Sequence, residues 1–156
     1  KEEEMLKKVS KKIQYITYRF GTISGVSSGM RFHTAVNKFC LNAALNNDIA
    51  VYKTALNQYR PYLSLKDAFK VFKFTIENDL FKNDIYNALS ENCTVNQIIK
   101  KIKKLKKKIK IKFVYSKIMN QLSYHVDKRK LNREGLHLNS KIIDDIKDTM
   151  KLLKNL

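Results

Sequence analysis

Apolar positions recur at intervals of three and four residues along most of the chain, the spacing of one buried stripe on an α-helix. Met5, Val9, Ile13, Ile16 and Phe20 form the first stripe and predict an opening helix. A second helix is expected from about Ser28 to Pro61, whose ring lacks an amide donor and pushes Arg60 away from helical angles. Ser64, with Asp67 at the third helical position, predicts the N-cap of a third helix reaching about Ser90. Thr94 and Gln97 make a capping box at the head of a fourth, with Gly135 as a plausible stop. Asn139 or Ser140 caps a last helix that turns Ile142, Ile143, Ile146, Met150 and Leu153 inward. Short connections between such helices make neighbours antiparallel. The predicted class is all-α: an antiparallel bundle of four main helices plus one short extra helix, a single domain over residues 1–156.

The stripes switch faces part-way along. Phe32, Val36, Phe39 and Ala43 share one face of the second helix, whereas Leu41, Leu45, Ile49, Tyr52 and Leu56 share another, about 200° away. Carrying the first seam past each switch meets Asn47, then Asn83 on the third helix, then Ser116, Asn120 and Ser123 on the fourth. Three arrangements produce this. The helices break at the switches, or they touch different neighbours along their length, or they run straight and bury polar layers. In the last case each buried amide needs a partner, because an unpaired one costs about 1–3 kcal/mol. The polar-layered bundle is the expectation carried forward, with those five residues as core candidates and a marginal, easily opened structure as its consequence. Ile109–Phe113 alternates with period two, as a strand does, but with no strand partner in view it stays with the helix.

Charge adds a second layer. Lys and Arg number 32 against 14 Asp and Glu, giving +18, and residues 94–135 hold fourteen basic and two acidic side chains. Within them stand Lys100, Lys101, Lys103, Lys104, Lys106, Lys107, Lys108, Lys110 and Lys112, leaving Ile102, Leu105 and Ile109 as a narrow apolar stripe. Such a helix suits an anionic membrane surface or a host polyanion, with nucleic acid as the alternative and a solvated face as the bland reading. Base reading favours Arg, Asn and Gln, and the run carries neither these nor interleaved stacking aromatics. A codon bias toward Lys and Asn accounts for the same surplus.

Few residues point to chemistry. Gly21, Gly25 and Gly29, four apart, make either a small-residue helix face or a flexible connector, and are the hinge candidate. No Lys-Ser or Lys-Thr follows them, so they are no phosphate loop. His33, His125 and His137 lack ligand spacing with any acid, and Cys40 and Cys93 lack a zinc pattern, although helical-hairpin arithmetic allows a disulfide between them. Asp144, Asp145 and Asp148 read as solvated charge on the last helix. No catalytic, metal-ligating or cofactor-binding residue is assigned, and no run of 18 apolar residues spans a membrane. The chain opens Lys1-Glu2-Glu3-Glu4 without Met or an apolar signal core, as a mature or trimmed fragment does.

Lys- and Asn-rich helical sequence without Trp, with these caps and polar interruptions, resembles the cell-traversal proteins of malaria-parasite sporozoites. The resemblance implies a secreted, non-enzymatic four-helix bundle with no cofactor, needed when the parasite breaches host cells. Adsorption through Lys100–Lys112, followed by opening of the bundle onto lipid, is the mechanism expected of it.

Overall fold

The computed structural model of the chain describes residues 1–115 and 122–155. Helix α1 (Glu2–Val9) carries three glutamates in its first turn and two lysines in its last, matching the helix dipole. Strands β1 (Ile16–Phe20) and β2 (Thr22–Ser24) follow, separated by Gly21. Helix α2 (Ala35–Ala44) leads through an Asn46 turn at positive φ into β3 (Ile49–Tyr52), a 3-10 turn and β4 (Tyr59–Ser64). Helix α3 (Leu65–Glu77) precedes β5 (Asp84–Ala88) and β6 (Glu91–Thr94). Helix α4 (Val95–Leu105), β7 (Ile111–Val114), the short α5 (Arg129–Arg133) and α6 (Ile142–Leu152) complete the order.

The strands make three small sheets. β1 pairs in parallel with β5, Ile16 opposite Asp84 and Phe20 opposite Ala88. β4 lies between β2, in parallel, and β6, antiparallel, with Tyr62 opposite Thr22 on one side and Glu91 on the other. β3 pairs in parallel with β7, Ile49 opposite Ile111. One apolar cluster joins α2, α4 and α6 around Val36, Cys40, Ile98 and Ile146. A second joins α3, β5 and α5 around Leu63, Val71, Tyr86 and Leu131.

The architecture is therefore mixed α/β and corrects the all-α, four-helix expectation. The first stripe runs across two elements: α1 ends at Val9, and Ile16–Phe20, rich in β-branched and aromatic residues, is a strand. The second predicted helix divides into α2, β3 and β4, which explains its change of face, and the third stops at Glu77. The period-two stretch Ile109–Phe113, left with the helix, overlaps a strand instead, β7 at Ile111–Val114. The capping box stands as expected, Thr94 Oγ1 accepting from the Gln97 amide and Gln97 Oε1 from the Thr94 amide.

The polar-core candidates are corrected as well. Asn47, Asn83 and Ser123 are exposed, because each seam ends where a helix ends; Ser116 and Asn120 lie outside the described residues. The buried polar layer is elsewhere. Asp67 accepts from Ser90 Oγ (2.7 Å), Ser140 Oγ (2.7 Å) and the Ser140 amide (3.0 Å), and pairs with Lys70. Asp145, 3% exposed and no solvated charge, accepts from Ser24 Oγ and Ser64 Oγ, each at 2.7 Å. Cys40 and Cys93 are both free and buried, so the disulfide is not formed. The glycines do not act alike. A Cβ on Gly21 would meet the Pro61 and Tyr62 carbonyl carbons at 3.0 Å, so it permits close strand approach; Gly25 sits at φ +123°, and Gly29 faces open space.

Candidate functional site

β4 is where the cleft begins. Its burial deepens along the strand, so Tyr62 is interior while Arg60, two residues earlier on the same face, is half-buried beside a strap formed by residues 122–126. Arg60 donates to the carbonyls of Tyr59 (2.8 Å) and Leu122, and to Gln58 Oε1 (3.3 Å). Its guanidinium lies over the Tyr124 ring, 5.0 Å from the centroid. The strap is tied down by Ser123 Oγ, which accepts from the Tyr59 amide, and by paired bonds between Asn92 and the Val126 backbone. The Tyr59 and His125 rings lie 4.2 Å apart, tilted by 49°.

The N-terminus of α2 lines the same cleft as Arg60. The first amides of a helix have no partner within it and carry partial positive charge. Here the N-cap Thr34 makes no side-chain capping bond, and its Oγ1 is buried without a partner. Asn37, 4% exposed, donates to the Arg31 carbonyl, but its Oδ1 is likewise buried and unpartnered. Native interiors rarely leave such atoms unmet.

These elements frame a cleft of about 840 Å³ lined by Thr22, His33, Lys38, Tyr52, Arg60 and Tyr124 among others. A second cleft of about 450 Å³, with Ser24, Ser27, Arg31 and Asn37 on its walls, shares Thr22, His33 and Thr34 with it. Among the described residues no carboxylate lines either, while Lys38, Arg60 and Arg31 bring positive charge. Burial pushes the Tyr62 phenol up to about 12, so it meets the first cleft as a neutral group. On the far wall β3 is hydrogen-bonded to β7 along one edge, and Ala50, Val51 and Tyr52 line the cleft. The arrangement suits a polyvalent anion attached to a flat or hydroxylated body.

Of the residues singled out in the sequence, few reach this site. Lys100, Lys103, Lys104, Lys107, Lys108, Lys110 and Lys112 are exposed, away from it. Lys101 is paired with Glu91 at 2.7 Å, and Lys106 donates to the carbonyls of Ala43 (2.7 Å) and Ala44 (3.3 Å), closing the end of α2. Gly25 and Gly29 line the smaller cleft; of the histidines His33 lines both. Among the described residues no three His, Cys, Asp or Glu side chains gather to hold a metal. Arg60, Thr34 and Asn37 escaped sequence reasoning. The available signal was Tyr59–Ser64, a turn-bounded run holding an arginine beside proline.

No family model matches the chain. Against curated proteins it is 34% identical over 104 residues, 65% of its length, to the potassium/proton antiporter CemA of Physcomitrium patens, of which the match spans 23%. Among the described residues no helix is long and apolar enough to cross a membrane. Solved structures match over nearly the whole chain. The RMD enzyme of Pseudomonas aeruginosa, complexed with NADPH, gives a TM-score of 0.82 at 12% identity, covering 98% of this chain and 53% of that one. UDP-glucuronic acid 4-epimerase of Bacillus cereus, with UDP-glucuronic acid and NAD, gives 0.85 at 15%, covering 98% and 50%. UDP-glucose 4-epimerase of Thermus thermophilus, with NAD, gives 0.81 at 16%, covering 97% and 51%. The chain spans about half the length of the structures it matches. This finding overturns the resemblance to traversal proteins and, with it, the non-enzymatic bundle reading: over its described length the chain has the Rossmann-like α/β fold of such enzymes.

Proposed function

We propose that the chain forms the nucleotide-sugar-binding part of a Rossmann-type epimerase or dehydratase acting on a sugar carried by a nucleoside diphosphate. The observation that carries this reading is that Arg60 and the α2 N-terminus line one cleft, whose walls bear cations and, among the described residues, no carboxylate. A diphosphate between them would accept charge-assisted hydrogen bonds from the guanidinium and from the α2 amides. The nucleobase would lie against β3, and the sugar would reach the smaller cleft, where a hydroxyl can donate to Asn37 Oδ1 and another accept from Thr34 Oγ1.

The named structures carry NAD or NADPH, and the residues of this chain do not fit that group. A dinucleotide pyrophosphate is cradled by a Gly-rich turn between a strand and a helix. Only four glycines occur here: Gly21, directly after β1, is filled against β4, and Gly25, directly after β2, stands four residues from Gly29, without the closer glycine spacing of that turn. No reaction step is therefore assigned to these side chains; their part is to bind and orient.

Titration calorimetry with UDP and a UDP-sugar tests the reading. Micromolar binding, weakened at least tenfold by Arg60→Ala as the loss of a charged hydrogen bond of about 1.5–3 kcal/mol requires, supports it. Binding no tighter than that of inorganic phosphate, or unaffected by the substitution, overturns it.

A further inference from the structure

β7 is bonded to β3 along one edge, and among the described residues no strand occupies its other edge. Backbone groups on such an edge point outward in a row and template a further strand. The two faces of β7 differ. Ile111 stands beside Ile49 and packs on the cluster that joins α2, α4 and α6. Phe113, two residues on and therefore on the same face, is left 50% exposed at the rim. Lys112, on the opposite face, is exposed. A strand added here would cover Phe113 and supply the missing backbone partners.

The chain leading to that edge carries charge of one sign. No Asp or Glu occurs between Glu91 and Asp127. Lys100, Lys103 and Lys104 on α4, and Lys108, Lys110 and Lys112 at the approach to β7, are all exposed. Among the described residues none of these six side chains has a hydrogen-bonding or ion-pairing partner, whereas Lys66, Lys82, Lys101 and Lys130 each reach a carboxylate. Where β3 and β7 begin, Lys108 and Lys110 line a hollow of about 200 Å³ together with Asn46 and Asn47, both exposed. Asp48, at the head of β3, lies outside its lining. Two ammonium groups and two carboxamides thus converge on a space that would take a carboxylate.

We infer that the β7 edge docks an extended segment of a protein partner, one that alternates acidic and apolar residues and adds as a strand beside Ile111–Val114. Its acids would stand beside Lys112 and over the Lys108–Lys110 hollow, and its apolar residues beside Phe113. Charge and edge together select this occupant. A second copy would set lysine-bearing strands against each other, and like charges across strands repel. A lipid surface takes up an apolar helix face, and that of α4, formed by Ile98, Ile99 and Ile102, is already buried. A nucleic acid has no amide row to complete a sheet edge. Lys112 and Phe113 also occupy opposite faces of β7, so phosphate contact and base stacking do not fall on one surface.

Fluorescence anisotropy with the full chain tests this, using a labelled peptide of about eight residues that alternates glutamate and valine. The comparison probes are the same residues in block order, two forms N-methylated at one or the other set of alternate amides, an oligouridylate of equal charge, and phosphatidylserine vesicles. The expected result is micromolar binding of the alternating peptide, at least tenfold tighter than the block-ordered peptide and than one of the two N-methylated forms, because only one of its edges meets β7. Lys110→Glu with Lys112→Glu, at exposed and unpaired positions, should keep the melting temperature and weaken that binding at least tenfold. Lys100→Glu with Lys104→Glu, on the outer face of α4, should weaken it no more than about threefold, through the screened field alone. Equal binding of all the peptides, no peptide binding, tighter binding of the oligouridylate or the vesicles, or equal losses from the two pairs of substitutions would each overturn the inference.

Discussion

Asp67 and Asp145 are both buried, both bonded to serine hydroxyls, and expected to respond oppositely to pH. Asp67 is held below its ordinary pKa of 3.8: burial acts to raise it, but the bonds from Ser90, Ser140 and Lys70 together outweigh that. Its contribution is therefore present above 3.8 and lost as pH falls through the lower folded value. Asp145 is raised above 3.8, because burial outweighs the donors Ser24 and Ser64. Its folded form holds the proton more tightly than the unfolded chain, so its contribution is full below 3.8 and is lost as pH rises through the folded value. Asn keeps the shape of both side chains and removes both titrations. Asp67→Asn forfeits charge-assisted bonds from donors that stay buried and should cost about 2–4 kcal/mol near neutral pH, less in acid. Asp145→Asn should cost under about 1 kcal/mol near neutral pH and more in acid, where the wild-type carboxyl is already neutral. Urea unfolding of the three proteins at pH 3 and pH 8 reads the difference as midpoint shifts at constant slope, about 1–3 kcal/mol per molar urea. Equal costs for the two variants, or pH trends of the same sign, would refute this account of the layer.

Three further outcomes follow from the geometry. Gly21→Ala drives a methyl group into the Pro61 and Tyr62 backbone at 3.0 Å and should destabilise by about 2–3 kcal/mol, while Gly29→Ala, with nothing within 4 Å, stays within about 0.5 kcal/mol; thermal melts compare them. Thr94→Ala removes a capping box and should cost about 1 kcal/mol by denaturant titration, with UDP binding unchanged. Tyr124→Leu takes away the ring over Arg60, so calorimetry should show UDP affinity falling about threefold to tenfold while the melting temperature holds.

Helices were legible where local rules governed them. The Thr94–Gln97 reciprocity marks α4, and the Ile142, Ile146, Met150 spacing marks α6, because caps and stripes are properties of neighbouring residues. The strands were not, since each is short and its partner lies far along the chain. Ile109–Phe113 displayed the right alternation, yet β3, its partner, begins some sixty residues earlier with no hairpin turn to announce it. Ile16–Phe20, a five-residue strand with no fully buried residue, blended into the α1 stripe because Ile16 and Phe20 continue its four-residue spacing. The cleft was hidden for a related reason. Arg60, Thr34 and Asn37 carry no spacing signature and converge only after β4 and α2 are placed.

Strand pairing by distant segments sets the timetable of synthesis. Ile16 must wait for Asp84 and Ile49 for Ile111, so a nascent chain leaving the ribosome in order can close β2 onto β4 but must hold β3 exposed until β7 emerges. The wall of the cleft is consequently among the last parts to assemble, and chains stalled before Ile111 would present a bare strand edge to whatever chaperone or protease meets them first.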